Sequence, residues 1–269
     1  KHIRSWLKDR YRQKQALPYL IDYFGATHLA VSEAVREEYY PWLINGPVRS
    51  STCLAGKTDR NRSIVAVGNL IDQSGPDILW QRRSDGQLEV WRIRNQRPES
   101  RFRLTLAMDR QWYIAGQADL NGDGIAELLF RRKSDGRVDS WAIRGGTVAR
   151  LKTLAETTDP AWDIAGAGDF NDDGHTDILW ARKSDNLIRV WTMRGARLIR
   201  SEDFQKAAGR GWCVVGVADL NRDGYDDLIF RRSSDQSAPI YIWFLKGAAA
   251  VTSSYLVKTP SPHWELVGM

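Results

Sequence analysis

A phrase of the form Trp-x-(Ile/Val)-x-Gly recurs at nearly constant spacing, and this periodicity restricts the fold more than any other feature. Trp112, Trp162, Trp212 and Trp264 open the copies WYIAG, WDIAG, WCVVG and WELVG, at intervals of 50, 50 and 52 residues. An earlier copy near Arg62, IVAVG, lacks the tryptophan. A second element follows each phrase: DILW at Asp77–Trp80, ELLF at Glu127–Phe130, DILW at Asp177–Trp180 and DLIF at Asp227–Phe230. A third carries Trp91, Trp141, Trp191 and Trp243. Ten of the twelve tryptophans are therefore repeat positions, which points to packing between repeats before any stacking on a ligand.

Each unit reads as four short strands. In the second unit they are expected over 112–118, 127–133, 137–144 and 147–154, with Ser134-Asp135-Gly136 as a hairpin turn. Four antiparallel strands per 50 residues, repeated, predict an all-β propeller of four-stranded blades. The units run 62–111, 112–161, 162–211 and 212–263, with a trailing strand at 264–269. That strand closes the ring, completes a hybrid blade with N-terminal residues, or belongs to a longer array. A small closed or nearly closed ring of four to five blades is the expectation.

Between the first two strands of three units lies a loop of fixed acidic pattern, D-x-N-x-D-G-x-x-(D/E). The copies are Asp119, Asn121, Asp123, Ile125 and Glu127; Asp169, Asn171, Asp173, His175 and Asp177; and Asp219, Asn221, Asp223, Tyr225 and Asp227. Calcium takes six to eight hard oxygen ligands, and side chains at loop positions 1, 3, 5 and 9 can converge on one point. Position 7 would add a backbone carbonyl, from Ile125, His175 or Tyr225. Glycine at position 6 permits the sharp turn. Three crowded carboxylates repel one another without a cation. The alternative is that these residues only form Asx-turns at hairpin ends, but three copies in register favour calcium over that and over magnesium. The first unit departs from the pattern: Ile71 and Gln73 stand at two ligand positions between Asn69 and Asp77, so no tight metal is expected there.

The phrases GQADLNGDGIAELLFRR, GAGDFNDDGHTDILWARK and GVADLNRDGYDDLIFRR resemble the FG-GAP or VCBS repeat, the blade unit of integrin α-subunit propellers and of many bacterial surface proteins. The resemblance covers about 62–269 and implies a propeller with calcium at the three loops. It leaves the biological role open among adhesion, sugar binding and scaffolding.

Arginine also recurs. Arg82, Arg132, Arg182 and Arg232 share one register; Arg94, Arg144, Arg194 and Lys246 share another. Two rings of cations would suit an anionic ligand. The structural alternative pairs the first ring with Asp85, Asp135, Asp185 and Asp235, or lays each guanidinium over a tryptophan.

Residues 1–61 do not repeat and are expected to be α-rich. Residues 2–15 read as a helix with Ile3, Trp6, Leu7 and Tyr11 on one side, 27–31 as a strand, and Ser32 as the cap of a helix running to Tyr40 before Pro41. The phrase ATHLAVSEAVREEYYPWL within 13–56 resembles a segment of family-4 GT-B glycosyltransferases, although no nucleotide-sugar half follows it. The segment is expected to be a cap, a remnant, or a docking arm over residues 1–45 toward a larger complex.

The net charge of +6 and pI near 9.4 favour an anionic partner, with an acidic glycan or a protein expected before nucleic acid. No run of 18 apolar residues suggests a membrane span. Cys53 and Cys213 read as two unpaired small hydrophobes. No secretory signal is visible, and the chain begins at Lys1, so an upstream segment is expected to have been removed or left out. The resemblance to FG-GAP repeats implies an extracellular, cell-surface or periplasmic setting, where free calcium can fill sites of modest affinity. None of His2, His28, His175 and His263 sits in a triad or metal arrangement, so no catalytic residue is expected. The readings are, in order, a non-catalytic calcium-binding module for glycan or protein; a structural or linker subunit tethered by its N-terminal segment; and a glycosyltransferase-related fragment.

Overall fold

The computed structural model describes residues 61–258 apart from 75, 95–96, 106–110, 145, 156–157, 205–208, 210, 233–238 and 248–249, together with strand residues 29–35, 38–44, 51–53 and 264–267. Each repeat forms one antiparallel sheet with its strands in sequence order. The first blade contains β4 (Arg62–Gly68), β5 (Asp77–Arg82), β6 (Leu88–Arg94) and β7 (Arg97–Arg103). The second contains β8 (Trp112–Ala118), β9 (Glu127–Arg132), β10 (Val138–Arg144) and β11 (Thr147–Ala155). The third is β12 (Trp162–Gly168), β13 (Asp177–Arg182), β14 (Ile188–Arg194) and β15 (Arg197–Asp203). The fourth is β16 (Trp212–Ala218), β17 (Asp227–Arg232), β18 (Pro239–Leu245) and β19 (Ala250–Lys258). The protein is thus an all-β propeller with four repeat-encoded blades.

A fifth four-stranded sheet joins the two ends of the chain. Strand β20 (Trp264–Val267) pairs antiparallel with β1 (Leu29–Val35), which continues into β2 (Glu38–Ile44) and β3 (Ser51–Cys53). The first strand of each repeat and β20 stand side by side in the order β4, β8, β12, β16, β20 and back to β4. The expected helix from Ser32 to Tyr40 is therefore corrected: 32–35 lie in β1 and 38–40 in β2, where Ser32 faces Pro41 and Ala34 faces Tyr39. Local helix signals yield here because the tyrosines, Trp42 and Val31 favour strand geometry and β20 supplies a pairing edge. The strand–helix unit behind the glycosyltransferase resemblance goes with it. The helix expected over 2–15 lies outside the described residues.

The second strand of every blade is sandwiched between neighbouring blades and is apolar on both faces. Ile78, Leu79, Leu128, Leu129, Ile178, Leu179 and Leu228 are fully buried. Leu79, Leu88 and Val90 of the first blade pack against Leu128, Phe130 and Trp112 of the second. Leu129 and Val138 of the second meet Trp162, Trp180 and Trp191 of the third, and Leu179 and Val190 of the third meet Phe230, Trp212 and Trp243 of the fourth. Trp112, Trp141, Trp162, Trp180, Trp191, Trp212 and Trp243 lie between blades, as their periodicity suggests. Each blade also carries one tilted aromatic pair: Trp80–Trp91 at 4.9 Å, Phe130–Trp141 at 5.2 Å, Trp180–Trp191 at 4.6 Å and Phe230–Trp243 at 4.8 Å between ring centres. A β-bulge interrupts the same place in all four inner strands, between Ile64 and Ala66, Ile114 and Gly116, Ile164 and Gly166, and Val214 and Gly216. Repetition of the bulge marks it as part of the blade design, bending each strand near the axis.

Strand bounds in the second blade match the sequence reading to within a residue. The turn after β9 is longer than a two-residue hairpin, since β10 begins at Val138. Its left-handed position holds Gly86, Gly136 and Asn186 in successive blades, the residue types that tolerate positive φ. Cys213 is a free thiol and exposed, not an interior hydrophobe.

Candidate metal-binding loops

The inner strand of each repeat runs to one face of the propeller and turns back into the buried second strand, so all four loops share that face. The three acidic loops have the same backbone path. Position 4 is left-handed in each, with φ of 73° at Gly122, 59° at Asp172 and 61° at Arg222. Position 6 is Gly124, Gly174 and Gly224, with φ of 78°, 77° and 94°. A left-handed turn repeated at position 4 by two non-glycine residues is a strained choice that the loop imposes three times.

The side chains of the expected ligand positions are oriented by backbone amides. Asp119 Oδ2 accepts the Gly124 amide at 2.8 Å, Asp169 Oδ2 the Gly174 amide at 2.7 Å and Asp219 Oδ2 the Gly224 amide at 3.1 Å. Asn121, Asn171 and Asn221 Oδ1 accept the amides of Asp123, Asp173 and Asp223 at 2.8, 3.0 and 2.9 Å. Asp123, Asp173 and Asp223 Oδ1 accept the amides of Ile125, His175 and Tyr225 at 2.8, 2.9 and 3.1 Å. The ninth-position carboxylates are buried and tied at the loop base, where Leu120, Phe170 and Leu220 donate to Glu127, Asp177 and Asp227 at 2.9, 3.3 and 2.9 Å. In the second blade Asn121 Nδ2 donates to both Asp123 Oδ2 at 3.0 Å and Glu127 Oε1 at 2.8 Å, so the fifth and ninth positions reach one point.

Among the described residues, no three His, Cys, Asp or Glu side chains are gathered closely enough to hold a metal by themselves. The amide bonds described above hold the carboxylates in Asx-type turns. The donor set still suits a hard cation: in each loop it is three carboxylates, one amide oxygen and one carbonyl, all oxygen. Electrostatics point the same way. Burial, reinforced by Asp173 and Asp169, pushes Asp177 up to about 6; burial, with Asp223 and Asp219, does the same to Asp227. Glu127 is raised by burial and by Asp119 and Asp123. Asp226, which accepts the Asp169 amide at 2.7 Å across the blade interface, is pushed by burial to about 6.

These shifts set a pH dependence. A carboxylate whose folded pKa lies above its unfolded value adds stability while protonated and loses it as pH rises through the folded pKa. For Asp177 and Asp227, a rise from 3.8 to about 6 is on the order of 3 kcal/mol each. In chelator, the urea midpoint is expected to be higher at pH 5 than at pH 7. Asp135 and Asp185, drawn down to about 2 by Arg132 and Arg182, act only below that window. A midpoint that rises from pH 5 to pH 7 in chelator would contradict this reading.

The first loop is different. Burial raises the pKa of Asp77 there, opposed by the amides of Leu70 and Ile71 and by two cations, Arg94 and Arg92, in place of further carboxylates. Asn69 and Gln73 brace the second loop instead: Asn69 Nδ2 donates to the Gly124 carbonyl at 3.2 Å and Gln73 Nε2 to that of Asp123. Nothing local in the sequence marked these cross-blade contacts.

The arginine register has local partners. Arg82, Arg132 and Arg182 each grip the aspartate three residues on through Nε, at 2.8, 2.9 and 2.8 Å to Asp85, Asp135 and Asp185, and again through Nη2. Arg132 and Arg182 also lie over Trp112 and Trp162, 5.3 and 5.6 Å from the ring centres. Arg232 is exposed, and Asp235 lies outside the described residues. Sequence reasoning missed Arg131, which is buried against the next blade. It donates to Asp163 Oδ1 at 2.6 Å, to Thr158 Oγ1 at 2.9 Å and to the carbonyls of Trp162 and Asp159. Its signal was a basic residue inside an apolar strand pattern.

The family model for an FG-GAP-like repeat matches residues 169–230, from the third loop to the end of DLIF in the fourth. No curated protein matches the chain in sequence. Among solved structures, a chain of the Photorhabdus luminescens Tc holotoxin pore is similar, at 15% identity over 78% of this chain and 10% of that one, with a TM-score of 0.48. This chain thus spans about a tenth of the toxin chain it matches. A putative 6-phosphogluconolactonase from Bacteroides uniformis is 10% identical over 87% of this chain and 83% of its own, with a TM-score of 0.42. Prolyl oligopeptidase B from Galerina marginata is 12% identical over 94% of this chain and 48% of its own, with a TM-score of 0.37. The third and fourth blades thus carry an FG-GAP-like repeat, and the same acidic loop recurs in the second blade.

Proposed function

We propose that this chain is a non-catalytic, calcium-binding propeller that serves as a binding module for a protein or glycan, with an anionic ligand favoured by its net charge of +6. The observation that carries the metal part is the threefold recurrence of one loop. Three blades hold the same kinds of oxygen donor on the same backbone path, each with a buried last carboxylate whose charged neighbours on the loop are two further carboxylates. Asp119, Asn121, Asp123 and Glu127, with the Ile125 carbonyl, would hold one ion, and the corresponding residues of the next two loops the others. A divalent ion there would supply charge neutralisation and cross-link the inner strand to the second strand. The loops offer oxygen donors and no nucleophile–base pair, which supports binding over catalysis.

Calorimetric titration of the chelator-stripped protein with calcium tests this. The expected stoichiometry is about three, falling by one in Asp173→Ala. Heat changes no larger than buffer dilution would end the reading. A glycan array and a pull-down then separate ligand classes.

A second reading, a structural subunit of a larger assembly, is favoured by the outer edge strands. β11 and β15 are the outermost strands of their sheets and leave Leu151, Leu198 and Ile199 exposed at 43%, 38% and 53%. Co-purifying chains together with a blank glycan array would select it.

A further inference from the structure

The first loop has the length of the other three, but Asn69 and Gln73 replace two of their carboxylates and Ile71 replaces their amide oxygen, and two guanidinium groups sit on its acidic side. Arg94, at the end of β6, donates Nη2 to Asp72 Oδ1 at 3.0 Å. Its Nη1 lies 2.7 Å from the Ile93 carbonyl oxygen, 3.3 Å from that of Pro76 and 3.5 Å from Asp77 Oδ1. Arg92 Nη2 donates to the second oxygen of Asp72. Asp72 is held in place by the Ser74 amide at 2.9 Å and by the Ser74 hydroxyl. Asp77 is fully buried and accepts the amides of Leu70 and Ile71 at 3.2 and 3.1 Å. One planar, permanently charged group therefore spans two carboxylates and a carbonyl of the loop.

The other blades lack this arrangement. The residues in register with Arg92 are Ala142, Thr192 and Phe244, which carry no charge. Those in register with Arg94 are Arg144, Arg194 and Lys246, all exposed and, among the described residues, without a carboxylate partner. Among the described residues, a third-strand arginine meets a loop carboxylate in the first blade alone, where the donor set is incomplete. The match between a missing donor set and an inserted cation is specific to one blade in four.

We propose that Arg94, with Arg92 beside it, is a built-in counter-ion that replaces a divalent cation in the first blade, so that this loop keeps its shape without metal. The comparison with the other loops rests on the calcium reading above. The first loop in turn braces the second, because Gln73 and Asn69 hold the carbonyls of Asp123 and Gly124. A metal-independent blade would thus present the neighbouring loop in order before any ion arrives.

Amide hydrogen exchange of the whole chain tests this, read at Leu70 and Ile71 and at Leu120, Phe170 and Leu220, which make the equivalent bond in the other loops. Chelation is expected to leave Leu70 and Ile71 unchanged while the other three exchange faster. Arg94→Gln is expected to speed Leu70 and Ile71 about tenfold with or without calcium, as befits loss of a charge-assisted bond at a local opening. Wild-type exchange in Arg94→Gln, or chelator sensitivity at Leu70 and Ile71, would overturn the proposal. If Leu120, Phe170 and Leu220 ignore the chelator, the calcium reading fails, while Arg94→Gln still decides the counter-ion. Should Arg94→Gln not fold, Arg92→Gln carries the same test: faster exchange at Leu70 and Ile71 supports the proposal and wild-type exchange overturns it.

Discussion

Filling the three acidic loops with calcium at a hundred times its dissociation constant is expected to raise the free energy of unfolding by about 8 kcal/mol, since each site adds roughly 2.7 kcal/mol by mass action. For a propeller of this size that corresponds to about 20 °C in melting temperature. The physical source is the loop itself. Asp177 and Asp227 are buried carboxylates whose neighbours on the loop are further carboxylates, and both are pushed up to about 6. A divalent ion reverses the sign of that environment and lets them ionise at little cost. Calcium should therefore also flatten the fall in stability expected between pH 5 and pH 7 in chelator. Thermal melts in calcium and in chelator at pH 7 measure the effect. A difference below about 2 °C would mean that the sites do not fill, because it equals less than 1 kcal/mol.

Replacing Trp180 with alanine is expected to cost 3–5 kcal/mol, the usual range for deleting a buried large aromatic. Trp180 is 2% exposed and sits between the second and third blades, against Leu129, Val138 and Trp191. Its loss would open a cavity in an interface that both blades share. Trp180→Phe should cost far less, about 1 kcal/mol. Two observations favour the smaller ring. Phenylalanine occupies the same repeat position in the second and fourth blades, as Phe130 and Phe230. The indole Nε1 of Trp180 is buried without a hydrogen-bond partner, so phenylalanine removes an unsatisfied donor together with some volume. Urea unfolding of the two variants decides the point. If phenylalanine destabilises as much as alanine, the pocket depends on the full indole and the repeat comparison misleads.

Much of the candidate site was legible because its parts are close in sequence. A loop ligand set needs only nine residues, and four of the six left-handed positions hold a glycine, Gly122, Gly124, Gly174 and Gly224, while Asp172 and Arg222 carry no such mark. The charge partners of Arg82, Arg132 and Arg182 were also legible, since each lies three residues on in a tight turn. The roles of Arg92, Arg94 and Arg131 were not. Arg94 meets Asp72 across 22 positions and Arg131 meets Asp163 across 32, and neither separation has a local signature.

The sequence by itself determined the blade unit, its strand bounds, the interface tryptophans and the oxygen donors, because period, turn chemistry and apolar runs act within a few residues. Only the tertiary structure decided how the ring closes. Residues 32–40 hold local signals for a helix, yet 32–35 and 38–40 are strand because β1 pairs with β20, more than 200 positions away. The same holds for charge: whether an acidic loop faces an arginine or another carboxylate depends on which side chains the neighbouring strand brings beside it. Backbone pairing and counter-ion placement are long-range choices, and they are settled when the blades come together.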